Sequence, residues 1–299
     1  GYYELKVNDR FAGGLDVVMP PPNFSVAANL SESQIVEKDS AVVSGVVDNA
    51  GGTGTADLRL LRNGTEINST SLDIGFESSE AYSFNNTFDS QGFYEIKVND
   101  TDAGNLEVLK DAKLNVTDLS LNKSGNFFEN ETVEASVTGQ NVGDVAGNLS
   151  FELFLDGTSY SSETVELDPG QNKTVEFTNS HTDRGNYTYS SGGLNENLEV
   201  LQPGSIELVG SSLENEMIEG DSFNYSVTLE NPGDVQSSSV LDFSLDGSVY
   251  QNTNLTVGAG TTKSVNSSRK IEIPGLYEIS VNNSLNKTVD VLKEAELNQ

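Results

Sequence analysis

The sequence has no cysteine, no tryptophan, a single histidine, and only 16 lysines and arginines against 46 aspartates and glutamates. The missing thiols exclude disulfides, thiolate nucleophiles and Cys-based zinc sites together. They do not fix a compartment, because exported prokaryotic surface proteins can be cysteine-free. The scarcity of positive charge leaves a formal net charge of -30, so nucleic acid and anionic lipid surfaces are repelled rather than bound. No apolar run approaches the roughly 18 residues of a membrane span, and no charged-then-apolar leader heads the sequence. Any export signal or anchor is expected outside these 299 residues. Hydrophobic residues still make up 35%, gathered in runs rich in Val, Leu, Phe and Tyr, so a folded chain is expected and not an acidic tail.

Three internal phrases recur at one spacing, the signature of a repeat array. "LLRNG", "LFLDG" and "FSLDG" end at Gly64, Gly157 and Gly247. "DNAGG", "QNVGD" and "ENPGD" place Asn49, Asn141 and Asn231. The phrase G-x-Y begins at Gly1, Gly92, Gly185 and Gly275, each time followed by "LDVV", "LEVLK", "LEVLQ" or "VDVLK". The period is about 91 residues. It gives complete repeats over 23–111, 112–202 and 203–294, preceded at 1–22 by the last two strands of another repeat and followed at 295–299 by the start of a next segment. The chain reads as a piece of a longer array.

Within each repeat the apolar period is two, which marks half-buried strands. In "FNYSVTLE", Phe223, Tyr225, Val227 and Leu229 share one face. For the middle repeat, strands are expected near 113–121, 132–140, 148–155, 159–167, 173–179, 186–190 and 195–201. Hairpin turns are expected at the "RNG" and "LDG" phrases. Seven short strands in about 90 residues describe an all-β chain of tandem immunoglobulin-like sandwiches. A tyrosine opens the sixth strand each time (Tyr3, Tyr94, Tyr187 and Tyr277), and is expected to turn inward and bond its hydroxyl back to the preceding corner. The linkers carry Pro at 20–22 and 203 and no Gly/Ser tract. They are expected to be stiff and the array rod-like.

The combination of N-x-G, D/N-G and G-x-Y resembles the CARDB family, a cell-adhesion-related immunoglobulin-like domain of bacterial and archaeal surface proteins. "GQNVGDVAGNLSFELFLDG" with "LDPGQNKTVEFT" carries the likeness best, and "LENPGDVQSSSVLDFSLDG" is similar. The first repeat departs through its Gly-rich "DNAGGTGTADLRLLRNG". The resemblance implies a fold and a cell-surface setting and brings no catalytic residues. The partners expected from the array itself are neighbouring repeats or other copies in a filament. Two other readings remain open: a module that binds polysaccharide or a surface protein through its end loops, and an accessory region of a secreted hydrolase.

Residues able to do chemistry are few. The lone His181, in "NSHTDRG", reads as an exposed loop residue without a nucleophile or ligand cluster beside it. No general acid–base pair stands out among so many carboxylates, and a non-enzyme is expected. The loop "NDTDAGN" offers Asp100 and Asp102 to calcium, but the matching "SSGGLNEN" has no aspartate. The strongest signal is Asn-x-Ser/Thr. With 31 Asn and 57 Ser plus Thr, chance placement predicts about six such triplets, whereas seventeen are present. Seven have an apolar middle residue and follow from strand alternation alone: Asn23, Asn29, Asn115, Asn148, Asn186, Asn224 and Asn254. Ten do not: Asn63, Asn68, Asn85, Asn99, Asn122, Asn130, Asn172, Asn266, Asn282 and Asn286. These mostly fall in expected turns or strand ends, where a glycan is easily attached. The expectation is an exported glycoprotein.

The acidic excess, few lysines and absent tryptophan resemble proteins of salt-loving organisms, and a halophilic archaeon is the expected source. Melting is therefore expected at a higher temperature in about 2 M than in about 0.1 M salt, because concentrated ions screen self-repulsion beyond roughly 3 Å. Equal melting temperatures would remove the halophilic reading.

Overall fold

A computed structural model describes residues 1–295, all of them in strands, turns and irregular segments with no helix. The segment expected to begin at 295–299 lies outside the described residues after Ala295. By compactness the chain forms two units: Gly1–Thr117 with Thr138–Phe151 and Ser162–Thr174, and Asp118–Val137 with Glu152–Ser161 and everything from Val175 onward. The first contains all strands of the first repeat and the second all strands of the third.

The first repeat comprises β3 (Phe24–Leu30), β4 (Gln34–Val36), β5 (Ser40–Asn49), β6 (Gly54–Arg62), β7 (Thr65–Ile74), β8 (Ser79–Thr87), β9 (Gly92–Val98) and β10 (Thr101–Leu109), after a hairpin of β1 (Tyr2–Val7) and β2 (Arg10–Asp16). The middle repeat comprises β11 (Leu114–Leu121), β12 (Phe127–Phe128), β13 (Thr132–Asn141), β14 (Gly147–Leu155), β15 (Thr158–Leu167), β16 (Asn172–Ser180), β17 (Gly185–Ser191) and β18 (Leu194–Leu201). The third comprises β19 (Glu207–Leu213), β20 (Glu216–Ile218), β21 (Ser222–Asn231), β22 (Ser237–Leu245), β23 (Ser248–Val257), β24 (Thr261–Lys270), β25 (Gly275–Val281) and β26 (Lys287–Leu292).

Each repeat builds the same pair of sheets. Three strands pair in the order β3-β5-β8, β11-β13-β16 or β19-β21-β24, and five in the order β4-β10-β9-β6-β7, β12-β18-β17-β14-β15 or β20-β26-β25-β22-β23. This is an immunoglobulin-like arrangement of two mainly antiparallel sheets. The expected strands of the middle repeat lie within one or two residues of those observed. The short strands β4, β12 and β20 were not expected, because two or three residues show no period. Each runs parallel to the last strand of its repeat and sets Ile35, Phe127 or Met217 opposite Val108, Val200 or Val291.

Alternation decides what each strand buries. Phe223, Tyr225, Val227 and Leu229 of β21 are all buried, as their spacing required. The first repeat buries Leu58 and Leu60 of β6 with Ile96 and Val98 of β9 in one cluster. Each such side chain contributes about 1.5–3 kcal/mol of burial. The β6–β7, β14–β15 and β22–β23 turns hold both central residues at positive φ: Asn63 and Gly64 at 46° and 78°, Asp156 and Gly157 at 49° and 77°, Asp246 and Gly247 at 48° and 76°. That geometry matches the twist of a hairpin and needs Asn or Asp followed by Gly. The same Asn or Asp does a second task, accepting on Oδ1 the N–H of Glu95, Thr188 or Glu278 across the sheet at 2.8 Å.

The tyrosine that opens the sixth main strand is half-buried in the three repeats. Its hydroxyl donates to the carbonyl four residues upstream: Tyr94 to Ser90 at 2.9 Å, Tyr187 to Asp183 at 2.9 Å, Tyr277 to Ile273 at 3.0 Å. In the β1–β2 hairpin the matching Tyr3 is 59% exposed. Replacing Tyr277 by Phe is expected to cost about 1 kcal/mol through the lost hydrogen bond. Tyr3→Phe is expected to cost nothing measurable, and repeat-resolved hydrogen exchange reads both.

Candidate functional site

The clearest constructed feature is polar. Asn49, Asn141 and Asn231 end β5, β13 and β21, and each is buried to within 3% of complete. A buried amide is costly unless all its groups are paired. Here they are. Oδ1 accepts the N–H of the glycine two residues on, at 2.9–3.0 Å, and the N–H of a linker residue (Asn23, Lys113 or Ser205) at 3.0–3.1 Å. In the middle repeat Nδ2 donates to Val145 and Leu167 carbonyls, and in the third to Val235 and Val257. In the first it reaches Gly52, Ile74 and Gly75. One side chain therefore ties the segment entering a repeat to at least three further backbone points.

Three residues after the asparagine a second clasp closes. In the middle repeat the Asp144 N–H donates to the Lys110 carbonyl and its Oδ2 accepts the Lys110 N–H, both at 2.9 Å. Asp234 does the same with Gln202, at 3.0 and 2.8 Å, and also pairs with Arg184 at 3.2 Å. The first repeat has Gly52 facing Pro20, with the Gly52 N–H shared between the Pro20 and Pro21 carbonyls at 3.1 and 3.2 Å. Proline has no N–H to donate, so the missing carboxylate leaves nothing unpaired.

The sequence-expected sites fall as follows. Of the seventeen Asn-x-Ser/Thr asparagines, all are exposed except the half-buried Asn99. Asn63, Asn99, Asn130 and Asn282 sit in turns at positive φ, and Asn122 and Asn286 in irregular segments. Asn172 is the first residue of β16. Asn68, Asn85 and Asn266 lie within β7, β8 and β24 instead of in turns, because polar faces of edge and outer strands also carry the motif without an apolar middle residue. The amide nitrogens of Asn29, Asn68, Asn99 and Asn122 are engaged, donating to Leu30, Asn86, Asp57 and Thr132. Asn63 and Asn282 differ: Oδ1 is held by the N–H of Glu95 or Asp242, both at 2.8 Å, while Nδ2 has no partner among the described residues.

His181 is not an exposed loop residue. It is 6% exposed and stacks on Tyr187 with ring centroids 3.8 Å apart. The expectation failed because loop composition hides a core position: the carbonyls of Phe88, His181 and Ile271 accept equivalent bonds from Lys38, Asn130 and Gly220. Asp102 of the calcium candidate spends Oδ1 on the Gly104 N–H at 3.1 Å. Among the described residues no group of three or more His, Asp or Glu side chains is placed to hold a metal. Among the described residues no helix is long and apolar enough to cross a membrane. Surface depressions at the β6–β7 and β17–β18 edges are open; Thr55, Asp73 and Ile74 line the first, and Asn186, Tyr187, Asn197 and Glu199 the second.

No family model matches the chain, and no curated protein matches it. Among solved structures it is similar to the I9-I11 tandem from titin, at 13% identity over 91% of this chain and 99% of that one, with a TM-score of 0.32. The I67-I69 fragment of titin matches at 12% over 92% and 99%, with a TM-score of 0.30. The ICAM-5 D1-D4 ectodomain fragment matches at 13% over 90% and 77%, with a TM-score of 0.32. The immunoglobulin-like assignment stands on the sheet order itself.

Asn231→Ala is expected to destabilise the third repeat by about 3 kcal/mol or more, since buried donors and acceptors lose their partners. Asn231→Asp is expected to be as damaging, because a carboxylate would face the carbonyls of Val235 and Val257. Asp234→Ala, in a partly exposed position, is expected to cost under about 1 kcal/mol. Denaturant unfolding of the full chain, followed by exchange in each repeat, orders the three variants.

Proposed function

We propose that this chain is a structural repeat segment of an extracellular, N-glycosylated cell-surface fibre, stalk or adhesin from a salt-loving archaeon. The observation that carries the reading is the placement of the Asn-x-Ser/Thr asparagines: nearly threefold more of them than composition predicts, and all but Asn99 open to solvent. The resemblance to CARDB repeats supports the cell-surface setting. The repeats supply spacing and a hydrophilic surface, and the three clasped linkers fix how each sandwich is entered. Charge supports the salt-loving reading, since five ion pairs join described residues to one another in a sequence of 46 acidic and 16 basic residues. Covering outer strand faces with glycans also discourages pairing between the exposed edges of separate molecules.

Acceptor geometry orders the sites. Asn63 and Asn282 present an unbonded Nδ2 on a turn whose Oδ1 hydrogen bond survives modification. Asn99 must give up the Asp57 contact. Glycopeptide mass analysis of material from the native host is expected to find hexose-containing additions at Asn63 and Asn282 and little or none at Asn99. A bare polypeptide from that host would return the triplets to composition and remove the glycoprotein reading.

A further inference from the structure

The three repeats share one frame but not one core. The position of Phe88 in the first repeat and Ile271 in the third, both buried, is His181 in the middle one. Two residues beyond the corner tyrosine, the fully buried Ile96 and Ile279 are replaced by an equally buried Tyr189. The two polar replacements meet: His181 Nε2 and the Tyr189 hydroxyl are 2.8 Å apart. An apolar pair has become a hydrogen-bonded pair in the same place.

The direction of that bond is set by its surroundings. The Ser180 N–H donates to Asn179 Oδ1 at 2.8 Å, which fixes the amide so that Nδ2 donates to the Tyr189 oxygen at 3.2 Å. Asn179 Nδ2 can only donate, so His181 Nε2 is the one acceptor that the described residues offer the buried Tyr189 O–H; the hydroxyl gives its proton there, and the neutral ring carries its hydrogen on Nδ1. The relay runs one way, from the end of β16 through β17 to the histidine.

We propose that His181 makes the middle repeat the acid-sensitive one of the three, because protonating Nε2 sets two hydrogens against each other and breaks this relay inside the fold. Once Nε2 carries a proton, the Tyr189 hydroxyl has to turn away and lose its acceptor in a buried place, at a cost that the solvated unfolded chain does not bear. The groups facing the ring are Tyr187 and Tyr189 of β17 and Asp156 in the β14–β15 turn, with Tyr160 of β15 beyond Tyr189. Asp156 favours the charged form, and so does the stacked face of Tyr187. Burial opposes it more strongly and holds the imidazole below its ordinary value.

The sign follows by linkage. An unfolded histidine titrates near about 6.5. With the folded value lower, the unfolded chain binds the extra proton first. The stabilisation is complete above that pH and is lost as pH falls, by up to about tenfold in the folding equilibrium per pH unit. The one carboxylate of the middle repeat whose titration the fold displaces lies outside this window. Glu131, in the same repeat, is held below the ordinary carboxylate value by its bond from Lys123 and by the Phe128 N–H, so its loss begins only at lower pH.

The experiment uses the full chain, whose single histidine gives one set of imidazole resonances in an NMR titration. The expected midpoint lies below about 6.5. Between pH 7.5 and 5.5, hydrogen exchange corrected for intrinsic rates is expected to lose protection in the middle repeat, with the first and third unchanged. His181→Ile with Tyr189→Ile installs the pair that the third repeat carries, and is expected to flatten the response of the middle repeat. A wild-type midpoint at or above the ordinary value would overturn the proposal. So would a pH course shared by all three repeats, or one retained by the double variant. If the double variant does not fold, the wild-type midpoint and repeat-resolved exchange still decide.

Discussion

A buried asparagine at the end of the second main strand is the constraint on which the rest of each repeat depends. Its amide has four hydrogen-bonding positions, and the structure fills them from at least four different places in the backbone. The entering linker, the loop after the strand and the end of the following hairpin are thereby placed relative to one another. An apolar residue of similar size would leave several backbone groups without partners in the interior. The amide is held by packing around it, and that packing in turn needs the loop it secures.

Around that fixed point the repeats tolerate exchange wherever the function of a position is preserved. Asn63, Asp156 and Asp246 are interchangeable because only an acceptor oxygen and a left-handed backbone are required. The Gly-rich loop of the first repeat is one residue shorter than its counterparts, and the Asn49 amide reaches Gly52 where its equivalents reach Val145 and Val235. Core positions are more restrictive, since volume and polarity must both be matched. The His181–Tyr189 pair meets this by bringing its own hydrogen-bond partners.

Strands and turns were legible because they rest on local rules: a period of two for Phe223 to Leu229, Asx-Gly for the hairpins, G-x-Y for the corner tyrosine. The buried asparagines were visible as markers of the repeat but not as its fastener, since nothing local to N-x-G-D says that a linker some 26 residues earlier will lie over it. A comparison of the three linkers against the three loops would have held the signal. His181 was misplaced for the opposite reason. "NSHTDRG" has the composition of a surface loop, yet alignment by the period puts the histidine on Phe88 and Ile271. The triplet asparagines within β7, β8 and β24 escaped because outward faces have no requirement beyond polarity, and sequence pattern does not distinguish a strand's outer face from a turn.

The pairing of Pro20 with Gly52, against Lys110 with Asp144 and Gln202 with Asp234, bears on how such arrays are inherited. A linker and a loop about thirty residues apart are matched: an N–H faces a carboxylate, and an imino nitrogen faces none. Recombination that cut between linker and sandwich would join a Lys110-type linker to a Gly52-type loop and leave a backbone donor without its partner. A cut upstream of the linker keeps the match. The heritable module is then the sandwich together with the segment that leads into it, and duplications that lengthen the array intact are those whose endpoints fall in the last strand of the preceding repeat.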